Sequence, residues 1–160
     1  MNKPKKDLSI LSTKDKFSIG AVLDLFVSIS SDEKQNRDEI ALDTNGVIDD
    51  KFYAKTLKRS VLITSRDSYI LAQENAIHIP SGALGENILI DTNPYSLNSG
   101  DKIKIGEVEL EITQHCTICK SLSKIDPELP SLLRSDRGVF AKVINGGKIR
   151  KGDLVKFEMH

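Results

Sequence analysis

Tryptophan is absent from this 160-residue chain, and aromatic residues make up only 5% of it. Neither sign of charge is in excess: 23 Lys and Arg face 23 Asp and Glu, for a formal net charge of zero. Dedicated nucleic-acid binders carry a basic face with interleaved aromatics, so no nucleic-acid partner is expected. Only two cysteines are present, too few for the disulfide framework of a small secreted domain. No apolar run approaches the ~18 residues of a membrane-spanning helix, so no membrane association is expected. The basic N-terminus lacks the apolar stretch of a secretory signal. These absences together predict a cytoplasmic protein in a reducing compartment.

What is present is an ordinary globular balance, 39% hydrophobic and 29% charged. The length suits one domain, at ~100–200 residues each. Residues 1–16 hold five Lys and two Asp and are expected to form a mobile basic arm. A single domain over 17–160 follows it.

The punctuation is that of a mainly β chain. Ala21 to Ile29 is apolar and β-branched enough for a buried strand, and Ser30 to Asn36 reads as a polar surface loop. Val61 to Thr64 and Asn87 to Asp91 read as short buried strands. Between them, Ser65 to Asn75 begins with a candidate N-cap and continues at helical spacing. Lys102 to Ile105 and Val108 to Ile112 alternate with period two around Gly106, which predicts an antiparallel hairpin. A second hairpin is expected near the C-terminus, from Gly138–Ile144 through a turn at Asn145-Gly146-Gly147 and, after Lys148-Ile149-Arg150 and the turn Lys151-Gly152-Asp153, Leu154–Phe157, with a short helix over Pro127–Arg134 before it. About seven short strands with few helices predict an α+β, mainly β chain closing into a barrel.

The unusual side chains cluster at His115-Cys116-Thr117-Ile118-Cys119. A structural zinc site needs four ligands, and this cluster offers at most three, so zinc is disfavoured. A redox dithiol of the thioredoxin kind belongs at a helix start in a βαβ unit, whereas the flanks here read as β-hairpin. A single reactive or metal-binding thiolate, tuned by nearby cations, is a third reading. Two buried inert thiols are the plain alternative.

Several segments, taken in order, resemble one family. Gly82-Ala83-Leu84-Gly85-Glu86-Asn87-Ile88 is similar to a G-x-x-x-E-N-[IL] signature, and Ser99 to Glu107 to the segment that follows it. Ile112-Thr113-Gln114 leads to Cys119, five residues after the Gln, as in its V-T-Q strand. Gly138 to Val143, Gly146-Gly147 and Gly152-Asp153 resemble its closing strands. Gly46 to Phe52 and Arg59 to Leu62 resemble two upstream motifs. The family is the MOSC domain, named for the C-terminal domain of molybdenum cofactor sulfurase, and the likeness spans about residues 20 to 157.

The resemblance implies a MOSC-type, barrel-like β fold with a few short helices, and a role with the molybdenum cofactor (molybdopterin). It places the family's cysteine at Cys119, as persulfide carrier or as molybdenum ligand. By position, Lys51, Arg59, Arg137 and Lys142 become candidates for binding the anionic cofactor, with Glu86 and Asn87 lining the site. A soft thiolate suits both molybdenum and sulfane sulfur. The expected partners are a pyridoxal-phosphate-dependent cysteine desulfurase as sulfur donor and a molybdoenzyme as recipient. No pyridoxal phosphate site of its own is expected. A small molybdenum-dependent reductase of N-hydroxylated substrates and a non-catalytic cofactor-binding module are the alternatives. Three departures stand out: Phe52 replaces a common His, Asp49 a common Gly, and Lys142 a common Arg, which keeps the charge but loses bidentate phosphate geometry. Cys116 reads as a resolving thiol or a small core residue.

Overall fold

The computed structural model describes residues 17–30, 33–116 and 120–159. The expected arm, residues 1–16, and Cys119 lie outside the described residues.

Strand β1 (Phe17–Ser28) is followed by β2 (Lys34–Arg37), β3 (Glu39–Asp43) and β4 (Gly46–Val47). A 3-10 turn (Leu57–Arg59) leads into β5 (Val61–Ser65), α1 (Arg66–Glu74) and β6 (Ile88–Ile90). Strands β7 (Lys102–Ile105) and β8 (Val108–His115) precede two short helices, α2 (Lys120–Ile125) and α3 (Leu129–Leu132). Strands β9 (Val139–Asn145), β10 (Gly147–Arg150) and β11 (Leu154–Glu158) close the chain.

Seven strands run in the order β11-β7-β8-β9-β5-β6-β1, and pairing of β1 with β11 closes them into a barrel. The β7–β8 hairpin forms as its alternation predicts, with Ile105 opposite Val108 and Lys102 opposite Glu111. Ile103, Ile105, Val108, Leu110 and Ile112 point into the barrel and are fully buried. Val61, Ile63, Ile88, Ile90, Val139, Ala141 and Val143 join them in one core. Strands β5 and β6 pair in parallel, so the chain between them must cross over, and α1 is that crossover. Its cap is the predicted one: the Ser65 side chain accepts the Asp67 backbone N–H.

Two expectations are corrected. Strands β9 and β11 do not form a hairpin; β9 pairs with β8 and β5, and β11 with β7 and β1. Between them β10 leaves the barrel to pair with β3 in a separate three-stranded sheet. Asn145-Gly146-Gly147 is a crossing point rather than a hairpin turn: a Cβ on Gly146 would strike the Leu42 carbonyl and Asp43 Cα. The Ser30–Asn36 stretch is likewise not all loop, because β2 begins at Lys34 and pairs with the end of β1.

A second, smaller apolar cluster lies outside the barrel. Ala72 of α1, Leu122 of α2 and Leu129 of α3 meet there with Ile77, Leu84 and Leu133.

Candidate anion-binding cavity

Strand alternation gives the barrel wall an outer face as well as an inner one. On β5, Val61 and Ile63 point into the core while the intervening Leu62 lines a cavity of about 590 Å³ outside it. On β9, Phe140 lines the same cavity between the core residues Val139 and Ala141. The remaining wall comes from Ser28 at the end of β1, Ser30 and Glu33 beyond it, Lys34 of β2, the 50–60 segment with Asp50, residues 82–85 and 87, Cys116 and Arg137. This volume falls in the ~300–1,000 Å³ range of small-molecule sites.

A buried Asp50–Asn87 pair holds the wall together. Asp50 is 6% exposed, and its Oδ1 accepts the Ser28 N–H at 2.8 Å and Asn87 Nδ2 at 3.1 Å. Its Oδ2 accepts the Phe52 N–H at 3.0 Å. Asn87 Nδ2 also donates to the Phe26 carbonyl, and Asn87 Oδ1 accepts the Leu62 N–H. One amide thus fastens β1, β5 and the 50s segment to each other. The adjoining Asp49 has a φ of 78°, the left-handed region that glycine adopts freely and Asp tolerates better than most residues. That geometry explains why a glycine suits this position in the motif that the segment resembles.

Four cations line the cavity: Lys34, Lys51, Arg59 and Arg137. Seven ion pairs occur among the described residues, and none involves any of these four. Lys51 Nζ lies 4.9 Å from the Phe52 ring centroid, and the Arg59 guanidinium 4.8 Å from that of Phe140. Lys34 is exposed as a residue, yet loss of solvent around its ammonium pushes its pKa below the ordinary lysine value. The like charges of Lys51 and Arg137 act in the same direction, while Glu86 and Asp50 oppose it.

Arg137 is 5% exposed and forms the most enclosed cationic part of the wall. Its Nη2 donates to the Leu84 carbonyl at 2.9 Å, and its Nη1 donates to Cys116 Sγ. Its Nε has no hydrogen-bond partner among the described residues. Cys116, itself 6% exposed, therefore presents its sulfur to a guanidinium within the cavity lining. The neighbouring His115 is turned to another task, with Nε2 at 3.1 Å from the Leu97 carbonyl oxygen.

Of the residues singled out from sequence, Lys51, Arg59, Asn87 and Arg137 converge on this cavity. Glu86 does not line it. It is fully buried, and its Oε2 accepts the Thr64 hydroxyl at 2.8 Å and the Tyr69 hydroxyl at 2.5 Å. Burial, reinforced by the Glu86 charge, pushes the Tyr69 phenol far above its ordinary pKa. Lys142 lies two residues past Phe140 on β9 and is not in the lining; its ammonium is 3.8 Å from Glu111. Lys34 was missed because a polar stretch without apolar alternation reads as loop. Its period-two exposure along β2 becomes visible only once that strand is placed beside β1.

The MOSC domain family model matches residues 49–156. A comparison with curated protein sequences finds no match. Among solved structures, the fold is similar to the YuaD protein from Bacillus subtilis, with a TM-score of 0.77 and 15% identity over 91% of this chain and 98% of that one. It is also similar to YiiM from Escherichia coli, with a TM-score of 0.69 and 20% identity over 89% of this chain and 71% of that one. YiiM from Geobacillus stearothermophilus gives 0.63 and 16% over 87% and 75% of the two chains. Among the described residues no helix is long and apolar enough to cross a membrane. With its seven-stranded barrel and a family match over most of its length, this chain belongs to the MOSC domain family, which is associated with molybdenum-cofactor proteins.

Proposed function

We propose that this chain binds the molybdenum-pterin cofactor in the cation-lined cavity and carries sulfur for it on Cys119. The observation that carries this reading is the set of four cavity cations, none in an ion pair among the described residues, against two lining carboxylates, Glu33 and the backbone-bonded Asp50. An excess of positive charge beside a partly enclosed cavity is costly, and an anion entering there relieves it. The Nε of Arg137 is a buried donor without an acceptor among the described residues, which suits a ligand rich in anionic oxygens.

Lys34, Lys51, Arg59 and Arg137 would hold the anionic groups of the cofactor, and the Arg59–Phe140 stack offers a flat surface to its ring system. When bound, molybdenum supplies oxygen- or sulfur-atom transfer chemistry. Cys119 follows Cys116 by three residues, an extended reach of ~10 Å at most from a residue in the cavity wall.

The chain's own step is a sulfane transfer. The Cys119 thiolate attacks the outer sulfur of a persulfide on a pyridoxal-phosphate-dependent cysteine desulfurase. A sulfur–sulfur bond forms to Cys119, the donor's bond breaks, and the donor cysteine leaves as thiolate, with no net oxidation. The recipient would be a molybdoenzyme. The test is incubation of the full chain with a desulfurase and cysteine, followed by mass spectrometry of each cysteine peptide. One added sulfur on Cys119, absent in Cys119→Ala and retained in Cys116→Ser, is the expected result. No labile sulfur on Cys119, or equal loss in both variants, would contradict it.

A further inference from the structure

Charge on this net-neutral chain is unevenly spread. Residues 51–66 contain five Lys or Arg and no Asp or Glu; of the two acids just before them, Asp50 is buried and Asp49 lies 3.8 Å from Arg37. Lys51 and Arg59 line the cavity, while Lys55 and Lys58 are exposed in the segment between them. None of these four forms an ion pair among the described residues, although exposed cations on β10 and in the turn after it do. Apolar side chains are interleaved with them: Phe52 is 53% exposed, Leu57 50% and Ile48 39%.

The backbone beneath these side chains is held at many points. Lys51 N–H donates to the Ser28 carbonyl at 2.7 Å, Ala54 N–H to Asn45 at 2.8 Å and Arg59 N–H to Thr56 at 3.0 Å. The Thr113 hydroxyl donates to the Lys58 carbonyl. A surface that exposes apolar and cationic groups on a fixed backbone is pre-organised for binding. Apolar anchors within a charged rim are the usual anatomy of a protein–protein contact.

We propose that residues 48–59 are a docking surface for an acidic protein segment, set at the mouth of the cavity. The partner it fits carries Asp and Glu around one or two apolar residues, which complement Lys55 and Lys58 around Phe52 and Leu57. The inference rests on the proposed function only for why a partner docks there: the cavity's cargo must be handed over. Single-stranded nucleic acid would also meet the cations. It gains most from a series of stacking aromatics, and Phe52 is the one exposed aromatic of the segment.

The test uses the isotope-labelled full chain and a synthetic Glu/Asp-rich peptide containing Leu and Phe, with a Gln/Asn version as control. Amide shifts should concentrate at residues 48–59, and the control should not bind. Affinity should fall several-fold on going from low to physiological salt. Lys55→Glu/Lys58→Glu should weaken binding at least about tenfold, and the milder Lys55→Ala/Lys58→Ala by less; the dispersion of their spectra reports folding. Shifts centred elsewhere, unchanged affinity in both double variants, or tighter binding of an RNA oligonucleotide to the same surface would overturn the proposal. Sulfur loading of Cys119 without peptide binding would sink this inference alone; peptide binding without loading would sink the proposed function alone.

Discussion

Replacing Asn87 with Ala should unfold this protein far more readily than loss of a ligand contact would suggest. The side chain bridges three segments through Leu62 N–H at 3.1 Å, the Phe26 carbonyl at 3.2 Å and Asp50 Oδ1 at 3.1 Å. Asp50 keeps its bonds from the Ser28 and Phe52 amides, so it loses least. The Leu62 N–H is left buried without its acceptor, and such an orphan costs ~1–3 kcal/mol. With a smaller loss at Phe26 and a small cavity, the total comes to ~3 kcal/mol, against a typical total stability of ~5–15 kcal/mol. At ~2–4 °C per kcal/mol for a chain of this size, the Tm should fall by ~6–12 °C. Urea unfolding followed by fluorescence and circular dichroism measures the free energy, and calorimetry the Tm. A loss below ~1 kcal/mol would refute the reading of Asn87 as the fastener of the cavity wall.

Two further outcomes follow from the same geometry. Tyr69 and Tyr95 are both held above the ordinary tyrosine pKa, chiefly by burial. The folded state therefore keeps protons that the unfolded chain releases above pH ~10, so stability is full below that pH and falls as pH rises through it. Urea midpoints measured from pH ~9 to ~11 should show that fall, and Tyr69→Phe should make it shallower. At Asp49, whose φ is 78°, Gly should be tolerated within ~0.5 kcal/mol, while β-branched Val should cost ~2 kcal/mol or more.

Sequence legibility followed the strength of the alternation. The β7–β8 hairpin was readable because both strands place an apolar residue at every second position and Gly106 makes the turn, with a φ of 58°. Helix α1 was readable from the Ser65 cap. The fate of the last strands was not, since Gly146 and Gly147 fit a turn equally well as a crossing; only the packing against Leu42 decides between them. The cavity cations divide in the same way. Lys51, Arg59 and Arg137 sit within or beside segments that resemble family motifs, whereas Lys34 lies in a polar stretch with no motif. Lys142 shares an outward face with Phe140, and two residues of strand, ~6.5 Å, separate it from the cavity lining and leave it beside Glu111. Glu86 is adjacent to Asn87 in sequence, but a 0% exposure tied to Thr64 and Tyr69 has no signature in the chain.

The central claim is that the four-cation cavity holds the molybdenum-pterin cofactor. Its most direct test is molybdenum content and oxidised-pterin fluorescence of protein purified from a host able to make the cofactor. Lys51→Met should be compared with Lys142→Met, which removes a cation of the same type outside the cavity. Near-stoichiometric molybdenum and pterin in the native chain, kept in Lys142→Met and lost at least about tenfold in Lys51→Met, is the predicted result, since a charge-assisted contact to an anion is worth ~1.5–3 kcal/mol. Molybdenum and pterin absent from the native chain, or depleted equally in both variants, would contradict it.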